Sequence, residues 1–138
     1  MALADRVLID TSAFFALRSS TDLFHARANG TYEQLIDREQ ELWTTSYTVV
    51  ETVALLHRRL GFEVVLEFSE WRRQANLQVI WIDRRMHEEA WERYVGDEGR
   101  GLSFVDWTTA VASREMQDAP VFTFDAGFAN VGRPVVPR

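Results

Sequence analysis

Short apolar runs alternate with stretches of helical periodicity along the chain. Val7-Leu8-Ile9 ends on Asp10, and Thr11-Ser12 then offers hydroxyls where a helix can begin, so strand, sharp turn and helix are predicted in that order. Between residues 22 and 39, Leu23, Ala26, Tyr32, Leu35 and Ile36 recur at roughly helical spacing, with Gly30 weakening the middle, which predicts one or two helices. Residues 41–44 read as a short strand. Ser46 is the expected cap of a helix carrying Val49, Val50, Val53, Ala54, Leu55 and Leu60, which Gly61 ends. A helix over residues 62–75 leads into Leu77-Gln78-Val79-Ile80-Trp81-Ile82, a β-rich run suited to a buried parallel strand.

In the second half, His87, Ala90, Trp91, Tyr94 and Val95 mark the apolar side of a helix, and residues 96–101 read as a glycine-rich loop around Arg100. Ser103 is placed to cap a helix carrying Asp106, Trp107, Ala110 and Val111. Pro120 then introduces the strand Val121-Phe122-Thr123-Phe124, which ends at Asp125. A last strand is expected over residues 134–136. Strands alternating with helices imply right-handed crossovers and a mostly parallel sheet covered on both faces, an α/β fold. With no repeat, linker or low-complexity run, residues 1–138 are expected to form one domain.

Ligands of open parallel sheets bind beyond the carboxyl ends of the strands, and that is where this pattern gathers acids. Asp10 and Asp125 end predicted strands, Asp106 sits in the first turn of a helix, and Glu51 is mid-helix with Tyr47, Val50, Ala54 and Leu55 on its face. Each has an ordinary explanation. Ser103-Phe104-Val105-Asp106 is nearly a capping box, Asp10 and Asp125 could be turn formers, and Arg58 or Arg59 could neutralise Glu51. A carboxylate on an inward helical face nevertheless needs a partner, a proton or a metal. Several together repel one another, and a divalent cation normally holds such a cluster.

The composition narrows that chemistry. There is no cysteine and there are only three histidines, so an oxygen-only site suits Mg²⁺, or Mn²⁺ in its place, better than Zn²⁺. Mg²⁺ keeps several waters, which leaves room for a phosphate oxygen and an attacking water; one ion can activate that water, and a second, ~3.5–4 Å away, can stabilise the leaving oxygen. All fifteen basic residues are arginine, which excludes the Walker A lysine and Schiff-base chemistry. Missing lysine also counts against phosphatases of the haloacid-dehalogenase type and response-regulator receivers, and Ser12 stands where the former need a second aspartate. A net charge of −6 argues against a generally basic nucleic-acid binder, although setting the four acids aside removes most of it. Arg18 and Arg100 are the candidate phosphate contacts. Met1-Ala2-Leu3-Ala4-Asp5-Arg6 lacks the apolar core of a signal peptide and the longest apolar run is too short to span a bilayer, so a soluble, cytoplasmic protein is expected.

Four pieces of the chain, Val7-Leu8-Ile9-Asp10-Thr11-Ser12, Ser46-Tyr47-Thr48-Val49-Val50-Glu51, Leu102-Ser103-Phe104-Val105-Asp106 and Thr123-Phe124-Asp125-Ala126-Gly127-Phe128, in this order resemble PIN-domain nucleases, especially the VapC-type toxins of bacterial toxin–antitoxin pairs. The resemblance covers nearly the whole chain. It implies a three-layer α/β/α sandwich and endoribonuclease activity on RNA, with Asp10, Glu51, Asp106 and Asp125 in the acidic metal-binding positions and a hydroxyl role for Thr11 or Ser12. It further implies a homodimer and a cognate antitoxin whose C-terminal segment covers the cleft. Many members carry another acid just after the fourth motif acid, where this chain has Ala126-Gly127, so one ion or two remains open. Other roles within the family are nucleases of RNA maturation or DNA repair, and non-catalytic modules binding RNA or protein. Phe14, Phe15, Trp43, Phe68 and Trp71 could serve an interface or fill the core.

Overall fold

The computed structural model describes residues 5–138; the reading of Met1 to Ala4 lies outside the described residues. In chain order the elements are β1 (Arg6–Ile9), α1 (Thr11–Arg18), α2 (His25–Asp37), β2 (Glu41–Thr45), α3 (Ser46–Leu60), α4 (Phe62–Gln74), β3 (Gln78–Ile80), α5 (Arg84–Gly96), α6 (Phe104–Glu115), β4 (Val121–Phe122), α7 (Gly127–Asn130) and β5 (Val135–Val136). The strands form one all-parallel sheet in the order β3-β2-β1-β4-β5. Leu8, at its centre, lies opposite Trp43 on one side and Val121 on the other.

Alternation along β1 assigns the two faces. Val7 and Ile9 pack with Phe14, Ala28, Leu56 and Phe68 from α1 to α4, while Leu8 packs with Ala90, Val111 and Phe128 from α5 to α7. Both sides of the strand are therefore buried, which is why its sequence is a continuous apolar run. Each fully buried side chain of this kind contributes about 1.5–3 kcal/mol. From β1 the chain builds outward through β2 and β3, then crosses to the other side of β1 to lay down β4 and β5. The order reverses between β1 and β4, and a crevice opens there at the carboxyl ends of the strands.

Several elements differ from expectation for identifiable reasons. The run over residues 77–82 was expected to be a buried strand, but only Gln78–Ile80 pairs, with β2 alone, and Trp81 is 77% exposed. As the edge strand, β3 has one neighbour, and the chain turns away at Asp83, whose carboxylate accepts from Met86 N–H to cap α5. Thr45, not Ser46, caps α3: its Oγ1 accepts from Thr48 N–H, while Ser46 Oγ accepts from Ile82 N–H and ties the start of α3 to the segment after β3. Helix α2 runs unbroken across Gly30, which faces open space. On α5 the buried positions are Met86 and Ala90, and Trp91 and Val95 stand half exposed. Phe14 and Phe68 belong to the core, with Phe15, Trp43 and Trp71 packed against it.

Candidate active site

Asp10 follows directly on β1. Its N–H donates to the Phe122 carbonyl at 3.0 Å, and its own carbonyl accepts from Ala13 and Phe14 to begin α1. The side chain is only 2% exposed. Asp10 Oδ2 accepts from Ser12 Oγ at 2.9 Å and from Thr123 Oγ1 at 2.8 Å. These two hydroxyls in turn accept from Phe124 N–H and Asp125 N–H, so the loop after β4 is fastened to the acid at the end of β1. Asp10 Oδ1 is buried and, among the described residues, has no hydrogen-bond partner.

The other three acids show the same asymmetry. Glu51 Oε1 accepts from Thr11 Oγ1 at 2.6 Å, and Thr52 supports that hydroxyl from behind at 3.3 Å. Asp125 Oδ1 accepts from Gly127 N–H at 2.8 Å. A Cβ on Gly127 would lie 2.7 Å from Leu102 Cδ2 and 3.1 Å from that Asp125 oxygen, so any side chain here would push the Leu102 methyl and crowd the acid. Asp106 completes a capping box with Ser103, its Oδ2 accepting from Ser103 N–H at 3.3 Å. In each carboxylate one oxygen is tethered to the fold and the other takes no hydrogen bond from the described residues.

All four acids line one cleft of about 560 Å³, together with Thr11, Ser12, Ser103, Ala54, Leu55 and Arg58. Burial pushes Asp106 up to about 8, and the charges of Asp10, Asp125 and Glu51 add to the effect against the opposing hydrogen bond from Ser103. Burial likewise raises Asp10, outweighing the hydrogen bonds from Thr123 and Ser12. The cluster thus resists carrying its full negative charge without a cation. Among the described residues, no three His, Cys, Asp or Glu side chains close together tightly enough to grip an ion. The donor set still fits a hard divalent cation: it is all oxygen, and it includes a buried carboxylate atom that nothing else satisfies.

Of the other candidates, Thr11 and Ser12 lie in the cleft, each donating to an acid. Arg18 and Arg100 do not line it: Arg18 lies over the Trp71 ring and Arg100 pairs with Glu98. The arginine in the cleft is Arg58, which forms no ion pair among the described residues. Its spacing of seven residues from Glu51, two helical turns, was a readable signal that it shares the face of the acid. Thr123, two residues before Asp125, is read from the sequence only as a strand and motif residue, and its hydroxyl on Asp10 comes from the fold.

A PIN-domain profile matches residues 7–134 of the chain. The chain belongs to the PIN-domain family. This PIN domain is 27% identical over 126 residues to VapC20 of Mycobacterium tuberculosis, named a 23S rRNA-specific endonuclease, covering 91% of this chain and 94% of the relative. Its structure matches the crystal structure of VapC20, described as a Sarcin-Ricin loop cleaving toxin, with a TM-score of 0.77 over 92% of this chain and 95% of the other. VapBC2 from Rickettsia felis, bound to a promoter DNA fragment, shares the fold at a TM-score of 0.69 and 10% identity, covering 94% of this PIN domain and 96% of that chain. FitAcB from Neisseria gonorrhoeae does so at 0.65 and 16%, covering 94% and 95%. The shared architecture is the five-stranded parallel sheet with helices on both faces. Among the described residues no helix is long and apolar enough to cross a membrane.

Proposed function

We propose that this PIN domain is a Mg²⁺-dependent endoribonuclease, the toxin of a toxin–antitoxin pair, which hydrolyses RNA phosphodiester bonds in the acid cleft. The observation that carries this reading is the convergence of Asp10, Glu51, Asp106 and Asp125 at the carboxyl ends of β1 and β4, each with one tethered and one free oxygen. The likeness to VapC20, named as an rRNA endonuclease, supports the same reaction class.

Asp10, Glu51, Asp106 and Asp125 would hold the cation, Mg²⁺ or Mn²⁺ in its place, which when bound supplies an activated water and charge stabilisation for phosphodiester hydrolysis. The chain's own residues do the positioning. Asp10 is the most rigid, because two hydroxyls and the surrounding core fix it. Thr11 and Ser12 spend their protons on Glu51 and Asp10, so they orient acids and leave Arg58 as the cleft's donor toward a phosphate oxygen. Metal-free, Asp106 keeps its proton near neutral pH, since burial disfavours its charged form and the neighbouring carboxylates add to that effect. The PIN domain acts in the cytoplasm as a homodimer, silenced by an antitoxin segment laid over the cleft.

The test is cleavage of a panel of single-stranded and structured RNAs, ribosomal RNA included, by wild type and Asp106→Asn with Mg²⁺, Mn²⁺ or EDTA. Metal-dependent cutting by wild type, with a loss of about 10²–10³-fold in the variant, is expected for a group that helps hold the cation at the reacting centre. Cutting that persists in EDTA or in the variant contradicts this site. Absence of cutting by folded protein under any metal favours a non-catalytic binding module.

A further inference from the structure

On the sheet face opposite α1 to α4, a second cleft of about 400 Å³ opens between α5, α6 and α7. Its lining includes Glu89, Arg93, Trp107, Arg114 and Arg133, three arginines against one carboxylate in a chain of net charge −6. Arg114 pairs with Glu89, and Arg133, its side chain 17% exposed, is anchored by Asp118 at 2.6 Å. A guanidinium has five donors, so both keep donors to spare after these bonds. Arg93 forms no ion pair among the described residues and lies 6.0 Å over the Trp107 ring. Trp107 is 9% exposed, and its indole N–H is buried without an acceptor. Native structures rarely leave such a donor unmet.

We propose that this cleft is a phosphate-binding subsite in which Arg93, Arg114, Arg133 and the Trp107 indole hold the backbone of the RNA substrate while the acid cleft cuts it. The proposal rests on the ribonuclease reading. An acidic protein acting on a polyanion must concentrate positive charge locally, and the acid cleft itself offers only Arg58. Arginine forks suit phosphate oxygens, and the cluster mixes anchored guanidinium groups with one that is unpaired. Helix α6 joins the two places: Asp106 lies in its first turn at the acid cleft, and Arg114 lies eight residues on, about 12 Å along the axis at 1.5 Å per residue.

The test is the affinity of the whole protein for a labelled RNA stem–loop in EDTA, where binding needs no catalysis, across a salt series. Arg93→Gln and Arg114→Gln change exposed side chains and leave the fold intact. Each is expected to weaken binding at least about five-fold and to lower the slope of log affinity against log salt by about one. Unchanged affinity and slope would overturn the proposal. Trp107→Phe assigns the indole N–H resonance, which RNA should shift in wild type and not in Arg93→Gln. If inorganic phosphate at constant ionic strength moves that resonance and RNA does not, the site serves free phosphate and the RNA assignment fails. If polyglutamate binding depends on Arg93 while RNA binding does not, the site is for a carboxylate and the proposal fails. Undiminished cleavage and KM in Arg93→Gln sink the subsite and leave the nuclease reading standing. Arginine-dependent RNA binding by a wild type that never cuts sinks the nuclease reading instead.

Discussion

The two clefts bordered by α6 handle charge in opposite ways. The acid cleft gathers four carboxylates with a single arginine on its wall, and burial and mutual repulsion drive Asp106 up to about 8. In the arginine cleft, Glu89 and Asp118 offset two of the three cations. The first arrangement is electrostatically incomplete without a cation, and the second is largely self-compensated, with donors left over. Carboxylates crowded in a buried place with little positive charge beside them are what a cation can complete, so the size of the imbalance is what distinguishes the proposed metal site from the proposed gripping subsite.

The largest effect on stability should come from pH. In the folded, metal-free protein Asp106 releases its proton near pH 8, while the unfolded chain releases it near its ordinary value of 3.8. Between those values the native state binds more protons than the unfolded one, so stability falls as pH rises from about 4 to about 8, by on the order of a few kcal/mol. Thermal melts in EDTA should show that slope, Asp106→Asn should reduce it to the part that Asp10 contributes, and Mg²⁺ should restore wild-type stability at the upper end. A flat wild-type profile would break the contrast between the clefts.

Smaller is the effect of Thr123→Val, which keeps shape but removes one hydrogen bond to Asp10 and the acceptor of Asp125 N–H. Cleavage or metal affinity should drop about ten-fold, as is usual for groups that orient ligands. Denaturant titration should show a stability loss of about 1–3 kcal/mol. The smallest change belongs to the arginine cleft. Glu89→Gln removes the partner of Arg114 on a partly solvated surface, and its stability cost should stay under about 1 kcal/mol by the same titration. A cost of several kcal/mol would mean that the arginines are held by their carboxylates more tightly than the comparison allows.

Much of this contrast was legible in the sequence on one side only. Asp10 falls at a strand end and Asp106 in a helix's first turn, places that local pattern defines well, while Glu51 stands mid-helix and Asp125 lies past β4, which stops at Phe122; the Val7-Leu8-Ile9 run, the capping box at Ser103 and the stop at Gly61 all appear as the residues suggest. What fixes the acids was hidden, because Thr123 meets Asp10 across 113 residues and Thr11 meets Glu51 across 40, and no local period records such contacts. The edge position of β3 was equally invisible, since an apolar run looks alike whether one neighbour or two will pair with it. Arg93, Arg114 and Arg133 come from three separate places in the chain, so their shared cleft emerges only after folding, while Arg18 and Arg100, beside promising loops, ended up outside the acid cleft.

The most direct measurement is a Mn²⁺ titration of the metal-stripped protein followed by electron paramagnetic resonance, with wild type beside Asp10→Asn. The account predicts saturable binding by wild type, displaced by Mg²⁺ and weakened at least about ten-fold in a variant that keeps its fold. Equal binding by both proteins, or none by wild type, would contradict the acid cleft as a cation site.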